Sequence, residues 1–376
     1  MTIKEIAEAL NVSTATVSNV IHGHLEKMSP DTAEMIRKKI EEYQYIPNMG
    51  ARMLAKGASQ IIGVVTNYPN RKEKFALQDP FVSEIIGALE NAIRSRGYYM
   101  MLRAAQNAPE IHHIAQTWNA DGLIVMGLQG NQCRELARVT RKPLVFIDCY
   151  FDSGEKYNNV GLADQEGMYK LTKYVLSLGH RSIAFIGDQP ELWGVDCQRL
   201  KGHKQALEKA GISWDQDNYD YISKDSANRE DDFRRLSKRI GRNTVFMFTS
   251  DYYAVEAVNY YTDHGFGIPS DISITGFDDN ILSHIVRPRL TTVHQDVTQK
   301  ADMAVKSIVD LLEGVSSRLV DVRLKPRVIR GCSIKNLKPE KHQIETPKKI
   351  IFCYAHNILM YKGFDAILFS DSREAP

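Results

Sequence analysis

The segment STATVSNVIHG, residues 13–23, carries hydroxyl and amide groups where a solvated helix would normally carry Lys and Glu. At helical spacing its branched apolar residues fall on one stripe. The other stripe consists of Thr14, Ala15, Ser18 and Asn19. Small polar groups of this kind bond phosphate oxygens and base edges without bulk. No acidic residue occurs between Ala9 and Leu25 to repel phosphate. The pattern predicts a helix face that contacts nucleic acid.

A second kind of chemistry is offered by an arginine and an aspartate that are far apart in the chain. Asp278 follows the strand-like run ISITGF, and Arg199 begins a helical run after a strand and a loop. A guanidinium and a carboxylate are a bidentate donor and a bidentate acceptor, which suits the vicinal hydroxyls of a sugar. The pair predicts a sugar-binding cleft, and a structural salt bridge across that cleft is the alternative interpretation.

Signatures of catalysis, nucleotide binding and metal binding are absent from the sequence. It contains no GxGxxG after a strand, no GxxxxGK[ST], no HExxH and no GxSxG. The five cysteines are scattered without a CxxC pair, which is typical of reduced thiols in a cytosol. No apolar run approaches the roughly 20 residues of a membrane span. We therefore expect a cytoplasmic protein that is not an enzyme, has no metal or cofactor and does not associate with membranes.

Three short helices are predicted to position the polar stripe of residues 14–19. A capping-box pattern begins at Thr2, Ser13 can cap a second helix, and Ser29 can cap a third. A tight turn between the first two makes residues 1–47 a helix-turn-helix domain, whose second helix would lie in the major groove. Residues 1–60 hold seven Lys/Arg and seven Asp/Glu. DNA-binding domains are usually more basic, so a small helical dimerisation cap is the alternative.

From Ile61 onward, short apolar runs such as IIGVV, GLIVM and IAFIG alternate with amphipathic helical runs. Four of the predicted helices end at a glycine in the C-cap position, namely Gly97, Gly179, Gly211 and Gly265. Repeated βα units predict parallel sheets with helices on both faces, and ligands then bind at the carboxyl ends of the strands. The expected fold is an α/β two-lobed effector-binding domain over residues 60–334, preceded by the all-α helix-turn-helix domain.

The segment TIKEIAEALNVSTATVSNVIHG, followed by YIPNMGARMLAKG, resembles the start of the LacI/GalR-family transcription regulators. The family motif reads A-x-x-x-x-V-S-x-x-T-V-S-x-V, then Y-x-P-N-x-x-A-R-x-L. The matching positions are Ala7, Val12, Ser13, Thr16, Val17, Ser18, Val20, Tyr45, Pro47, Asn48, Ala51, Arg52 and Leu54. Segments such as DPFVSEIIGALENAIRSRGY and RLTTVHQD resemble the family's periplasmic-binding-protein-like effector domain, so the resemblance extends to about residue 334.

The resemblance implies a set of operator contacts. Base reading would fall to Thr14, Ala15 and Asn19. Phosphates would be held mostly by Ser13, Thr16 and Ser18. The further predicted contacts are His22, Asn48 and Arg52. Residues 48–59 would form the hinge helix and linker, in which Leu54 would wedge into the minor groove and kink the site. A plain linker hydrophobe is the alternative for Leu54. Because a methyl group reads no donor or acceptor, Ala15 leaves the operator sequence open.

The resemblance also implies the effector contacts. They are Asp79, Phe81, Asp148, Trp193, Arg199, Ser250, Asp278 and Gln295. Ser250 stands where many family members carry Asn, an exchange that shortens or removes that contact. Trp193 would either stack on a sugar ring or pack as a hydrophobic lid. Asp251 would be either a helix N-cap or a ligand residue.

The combined expectation is a homodimeric transcriptional repressor, with a tetramer as the alternative, that binds palindromic operator DNA. A small molecule, expected to be a carbohydrate, would bind between the lobes and change the operator affinity. A purine or another polar metabolite is the alternative effector. A sugar-binding protein or enzyme without a DNA role is the alternative function. Residues 335–376 form an extension that would add a tetramer helix, extend an edge strand or fold poorly.

Overall fold

The computed structural model describes residues 2–21, 23–45, 58–67, 76–151, 156–315 and 319–338. The predicted positions His22, Asn48, Arg52 and Leu54 and the extension beyond residue 338 lie outside these ranges.

The N-terminal domain consists of α1 (Ile3–Ala9), α2 (Thr14–Ile21), a short 3-10 turn (Leu25–Lys27) and α3 (Pro30–Glu42). All three predicted caps form: Thr2 accepts a hydrogen bond from the Glu5 amide within a capping box, Ser13 accepts one from the Thr16 amide, and Ser29 accepts one from the Thr32 amide. The three helices enclose a core of buried aliphatic residues, Ile6, Ala7, Val17, Val20, Ala33 and Ile36. The predicted three-helix arrangement is therefore present.

The first lobe of the body is built on a parallel six-stranded sheet. Its strands are β1 (Ile61–Thr66), β2 (Tyr99–Ala104), β3 (Gly122–Met126), β4 (Leu144–Ile147), β5 (Asn159–Leu162) and β11 (Asp321–Leu324). Their order is β11-β5-β4-β3-β1-β2. One face is covered by α4 (Pro80–Ser95) and α12 (Val297–Leu312), the other by α5 (Ala108–Thr117) and α6 (Gly130–Val139). The central strands β1, β3 and β4 are nearly continuous apolar runs because both of their faces are buried.

The second lobe contains a four-stranded parallel sheet. The strands are β6 (Ile183–Gly187), β7 (Tyr219–Tyr221), β8 (Val245–Phe248) and β9 (Ser273–Thr275), in the order β7-β6-β8-β9. The helices of this lobe are α7 (Asp164–Ser177), α8 (Gly194–Lys209), α9 (Ser226–Ser237), α10 (Asp251–Asp263) and α11 (Ile281–Ile285). An antiparallel pair, β10 (Thr292–His294) with β12 (Arg327–Ile329), completes it.

Three chain segments connect the lobes. The chain leaves the first sheet after β5 and enters α7, which packs in the second lobe's core. It returns between β10 and α12, whose Ala301 and Ile308 lie in the core of the first lobe. It crosses again between β11 and β12.

Several boundary expectations can be compared with the structure. The backbone φ is positive at all four predicted C-cap glycines, Gly97, Gly179, Gly211 and Gly265, as a left-handed helix end requires. The predicted start of a helix at Arg199 is wrong, since α8 begins at Gly194. The body also extends beyond residue 334, because the Leu337 amide donates to the Leu178 carbonyl and His180 contacts the Lys335 carbonyl.

Candidate functional site

The outward face of α2 is polar and carries no charge. Ser13, Thr14 and Ala15 are exposed, whereas Thr16, Ser18 and Asn19 are half-buried. The Ser13 hydroxyl accepts a hydrogen bond from the Thr16 amide at 3.0 Å and lies 2.8 Å from the Thr16 hydroxyl. Ser13 is thus the helix cap that the sequence predicts. The first turn of α2 therefore presents backbone amide groups and short side chains at a helix N-terminus. Such an arrangement favours the binding of an anion.

Polar residues follow the carboxyl ends of strands in both lobes of the body. Asn67 follows β1, Asp148 follows β4, Asp188 follows β6, Ser250 lies two residues beyond β8, and Asp278 lies beyond β9. Neither the Asn67 amide group nor the Ser250 hydroxyl has a hydrogen-bond partner among the described residues, although both are buried. Buried polar atoms without partners are uncommon and are expected where a ligand completes the hydrogen bonding.

On the first lobe, Asp148 is held by a lysine that sequence analysis missed. The Lys300 ammonium lies 2.8 and 2.6 Å from the two carboxylate oxygens of Asp148, and 2.8 Å from the Gln295 amide oxygen. Lys300 is completely buried. Its three N–H donors therefore have three acceptors. The signal in the sequence was a lysine on the apolar stripe of α12, four and eight residues before Ala304 and Ile308.

On the second lobe, Arg199 is fixed by several short contacts. It donates to Asp164 at 2.9 Å and to the Thr249 carbonyl at 2.6 Å, and it lies over the Phe277 ring at 3.9 Å. Its distance to Asp278 is 3.8 Å. Burial raises the pKa of Asp164, and Arg199 opposes that shift. The alternative interpretation of a structural salt bridge is therefore supported in part: Arg199 and Asp278 form an ion pair, but both belong to the second lobe and the pair does not span the cleft.

Two residues join these groups into one network. The Gln295 amide donates to Asp278 at 2.6 Å, while its oxygen receives Lys300. The Tyr150 hydroxyl lies 2.7 Å from Asp164, which binds Arg199 through its other oxygen. We call the connected set the hinge network; its members are Asp148, Tyr150, Asp164, Arg199, Asp278, Gln295 and Lys300. It runs from one lobe to the other at two of the three connections between them.

The other predicted effector contacts are Asp79, Phe81, Trp193 and Ser250. Asp79 caps α4 by accepting from the Phe81 amide at 2.9 Å, which is a structural role. The Phe81 ring lies 5.4 Å from the Lys300 ammonium. Trp193 is half-buried and immediately precedes α8. Ser250, rather than Asp251, occupies the N-cap position of α10.

Asp251 is a structural residue and was missed in that role. It is completely buried, accepts from the Thr292 hydroxyl at 2.5 Å and accepts from the Asn280 amide at 3.1 Å. Burial raises its pKa, and the neighbouring Asp278 adds to the shift. Asp251 therefore supports the segment that carries Asp278.

A cavity of about 380 Å³ borders the hinge network at Tyr150 and Asp164, and its lining also includes Gln165, Gln198 and Gln205. Over the described ranges no group of three His, Cys, Asp or Glu side chains is arranged to hold a metal ion. Nor does any helix within those ranges have the length and apolar character needed to span a membrane.

Comparison with known proteins places both domains. Residues 2–48 match the family model for bacterial regulatory proteins of the lacI family, and residues 172–334 match a periplasmic binding protein-like domain. The chain is 28% identical over 347 residues to the HTH-type transcriptional repressor PurR of Pasteurella multocida, covering 89% of this chain and 99% of that protein. It is 28% identical over 323 residues to the HTH-type transcriptional regulator MalR of Clostridium butyricum, covering 83% and 93%.

A solved structure of the lac repressor dimer, bound to operator and the anti-inducer ONPF, has the same fold. The TM-score is 0.77 at 22% identity, and the match covers 89% of this chain and 99% of that one. The helix-turn-helix domain, the two-lobed body and the named relatives agree. The chain therefore belongs to the LacI family of bacterial regulatory proteins and is a transcriptional regulator of that type.

Proposed function

We propose that this regulator is a repressor whose operator affinity depends on a small uncharged polyhydroxy compound, of sugar type, bound between its lobes. The observation that carries the proposal is the hinge network. It crosses from one lobe to the other through Gln295 and through Asp164. A ligand that replaces any of these hydrogen bonds with its own changes the relative free energies of the different lobe arrangements.

The chemistry of the site supports a sugar. Arg199 and Asp278 offer planar donor and acceptor edges, while Asn67 and Ser250 offer an amide and a hydroxyl without partners among the described residues. A sugar hydroxyl both donates and accepts, so a ring of hydroxyls satisfies such a mixed set.

The proposal that the protein binds operator DNA relies on the surface of α2 and on the similarity to known regulators. The exposed Thr14 and Ala15 stand on a helix without charged residues, next to the capped N-terminus. The lac repressor, a structural relative, is bound to operator in its solved form. A single domain of this size provides too little specific contact, so we propose that a homodimer reads a palindromic site.

Binding of the effector is tested by thermal unfolding of the full chain with neutral pentoses, hexoses and disaccharides, and with nucleobases as the alternative class. A ligand present at about 100 times its dissociation constant adds roughly 2.7 kcal/mol to stability, which is a readily measured shift. We expect stabilisation by a neutral sugar, and the same sugar should change operator binding. Stabilisation by nucleobases alone would replace the sugar with a purine-type effector.

Binding to DNA is tested by selecting sequences from a random duplex pool and then measuring affinity. We expect a palindromic site, for which Leu54→Ala weakens binding by about tenfold because the minor-groove wedge is lost. The matched control is Leu319→Ala, an exposed leucine of the body. An unchanged affinity for Leu54→Ala rejects the wedge, and a selected site without two-fold symmetry rejects the dimer.

A further inference from the structure

Lys300 is a charged residue in a position that otherwise belongs to the core. It lies in the first turn of α12 and is fully buried, and the next inward positions of that helix are Ala304 and Ile308. An ammonium group is costly to bury unless it is paired and fully hydrogen-bonded. Here the pairing is complete, with two contacts to Asp148 and one to Gln295.

The acceptors that hold Lys300 are residues expected to face the effector. Asp148 is a predicted ligand contact at the end of β4, its backbone has a φ of +56°, and one of its oxygens also accepts from the Leu162 amide at 3.3 Å. Gln295 connects the same ammonium to Asp278. Together, the carboxylate and the amide oxygen form a subsite for a cation, and the chain's own lysine occupies it.

We propose that Lys300 determines the charge class of the effector. By filling the cation subsite it prevents an amino group of a ligand from pairing with Asp148. Since the charges of Lys300 and Asp148 compensate each other, the pair also provides no net attraction for a phosphate or a carboxylate. The Asp148 side of the cleft therefore offers no unbalanced charge to a ligand group. This inference relies on the proposed function and narrows its ligand class to neutral polyols.

The first test uses chemical rescue of Lys300→Ala in the full chain. The substitution removes the side chain and leaves Asp148 facing an empty space of the size of an alkylammonium ion. We expect a melting temperature several degrees below that of the wild type, restored in part by propylammonium chloride. Sodium chloride at the same ionic strength and neutral propanol should restore nothing.

Lys300→Met is the matched control, because its side chain fills the space without providing a charge, and it should show no rescue. The double variant Asp148→Asn/Lys300→Ala should not respond to propylammonium either, because the carboxylate is gone. Equal responses of Lys300→Ala and Lys300→Met to propylammonium would overturn the proposal.

The second test does not require a variant that folds. The wild type is titrated with matched pairs of a neutral hexose and its 2-amino-2-deoxy derivative, for example glucose and glucosamine. Within every pair that produces a thermal shift, we expect the neutral sugar to bind at least tenfold more tightly. An amino sugar that binds as well as its neutral partner contradicts the assignment of Lys300. If no sugar of either kind stabilises the wild type, the proposed function fails, and the rescue experiment still decides whether the cation subsite exists.

Discussion

The two charged pairs of the hinge network differ in how closely their members meet. On the first lobe, Lys300 contacts both oxygens of Asp148 at 2.8 and 2.6 Å. On the second lobe, Arg199 and Asp278 are 3.8 Å apart, and the shorter contacts of Arg199 go to Asp164 and the Thr249 carbonyl. The first pair is closed on itself, whereas the atoms of the second pair are separated by more than a hydrogen-bond distance.

This difference separates stability from recognition. A buried pair that loses one partner leaves an uncompensated charge, so the first-lobe pair should matter most for folding. Arg199 keeps other acceptors when Asp278 changes, so the second-lobe pair should matter most for the ligand. Substitutions in the two pairs can therefore confirm or contradict the assignment of stability to the first-lobe pair and of ligand recognition to the second-lobe pair.

The largest expected effect is on stability and comes from Lys300→Met. It leaves the Asp148 carboxylate unpaired, and we expect the free energy of unfolding to fall by about 3–5 kcal/mol. Urea unfolding followed by tryptophan fluorescence measures the loss. The double variant Asp148→Asn/Lys300→Met removes both charges and should recover most of it.

The matched control for that prediction lies on the same helix. Lys306 pairs with Asp310 at the surface, and its side chain is 64% exposed. Surface substitutions of this kind change stability by no more than about 0.5 kcal/mol. If Lys306→Met and Lys300→Met cost the same, the buried pair has no special role and the comparison between the lobes fails.

The second prediction concerns recognition and uses Asp278→Asn. The substitution keeps the shape and retains an acceptor for Gln295, but it removes the bidentate charged acceptor. Hydrogen bonds to charged groups contribute about 1.5–3 kcal/mol, so the affinity for the sugar should fall by at least about tenfold. Calorimetric titration measures it, with Asp310→Asn as the control outside the cleft. An unchanged affinity would place the ligand away from Asp278.

The parts that could be predicted from the sequence are those with a local signal. Caps at Thr2 and Ser13, and the four glycine helix ends, depend on neighbouring residues and were found from them. Asp278 was predicted as a ligand contact because it follows a strand, whereas Asp148 was predicted only through the resemblance to the family. Lys300 and Asp164 were missed because each resembles an ordinary helix residue in sequence. Their roles arise from contacts with residues 152 and 35 positions away in the chain.

The third prediction uses pH to distinguish the cores of the two lobes. Burial lowers the pKa of His203, in the second lobe, to about 3, and its ring contacts the Thr172 hydroxyl at 3.0 Å. In the unfolded chain the imidazole binds its proton near pH 6.5. Between pH 6.5 and about 3 the unfolded state therefore holds more protons, and acidification destabilises the fold through this residue.

The measurement is the difference in unfolding free energy between the wild type and His203→Gln from pH 7 to pH 5. We expect the variant to lose less stability on acidification, because its side chain does not titrate. His113→Gln, at an exposed histidine of the first lobe, should retain the wild-type slope. Parallel curves for the wild type and His203→Gln would show that His203 is not buried in its neutral form.

The smallest effect is expected from removing the extension, provided that the cut respects the contacts of the second lobe. The Lys335 amide donates to the Ser273 hydroxyl at 3.0 Å, His180 contacts the Lys335 carbonyl at 2.8 Å, and the Leu337 amide donates to Leu178. Deleting residues 339–376 preserves all three bonds, so the melting temperature should stay close to that of the full chain and the protein should remain a DNA-binding dimer. Deleting residues 335–376 removes them, and at about 1 kcal/mol per bond the melting temperature should fall by several degrees.

Light scattering on the protein that lacks residues 339–376 tests where the subunits meet. Loss of the dimer in that protein would place the subunit interface in the extension and not on the lobes.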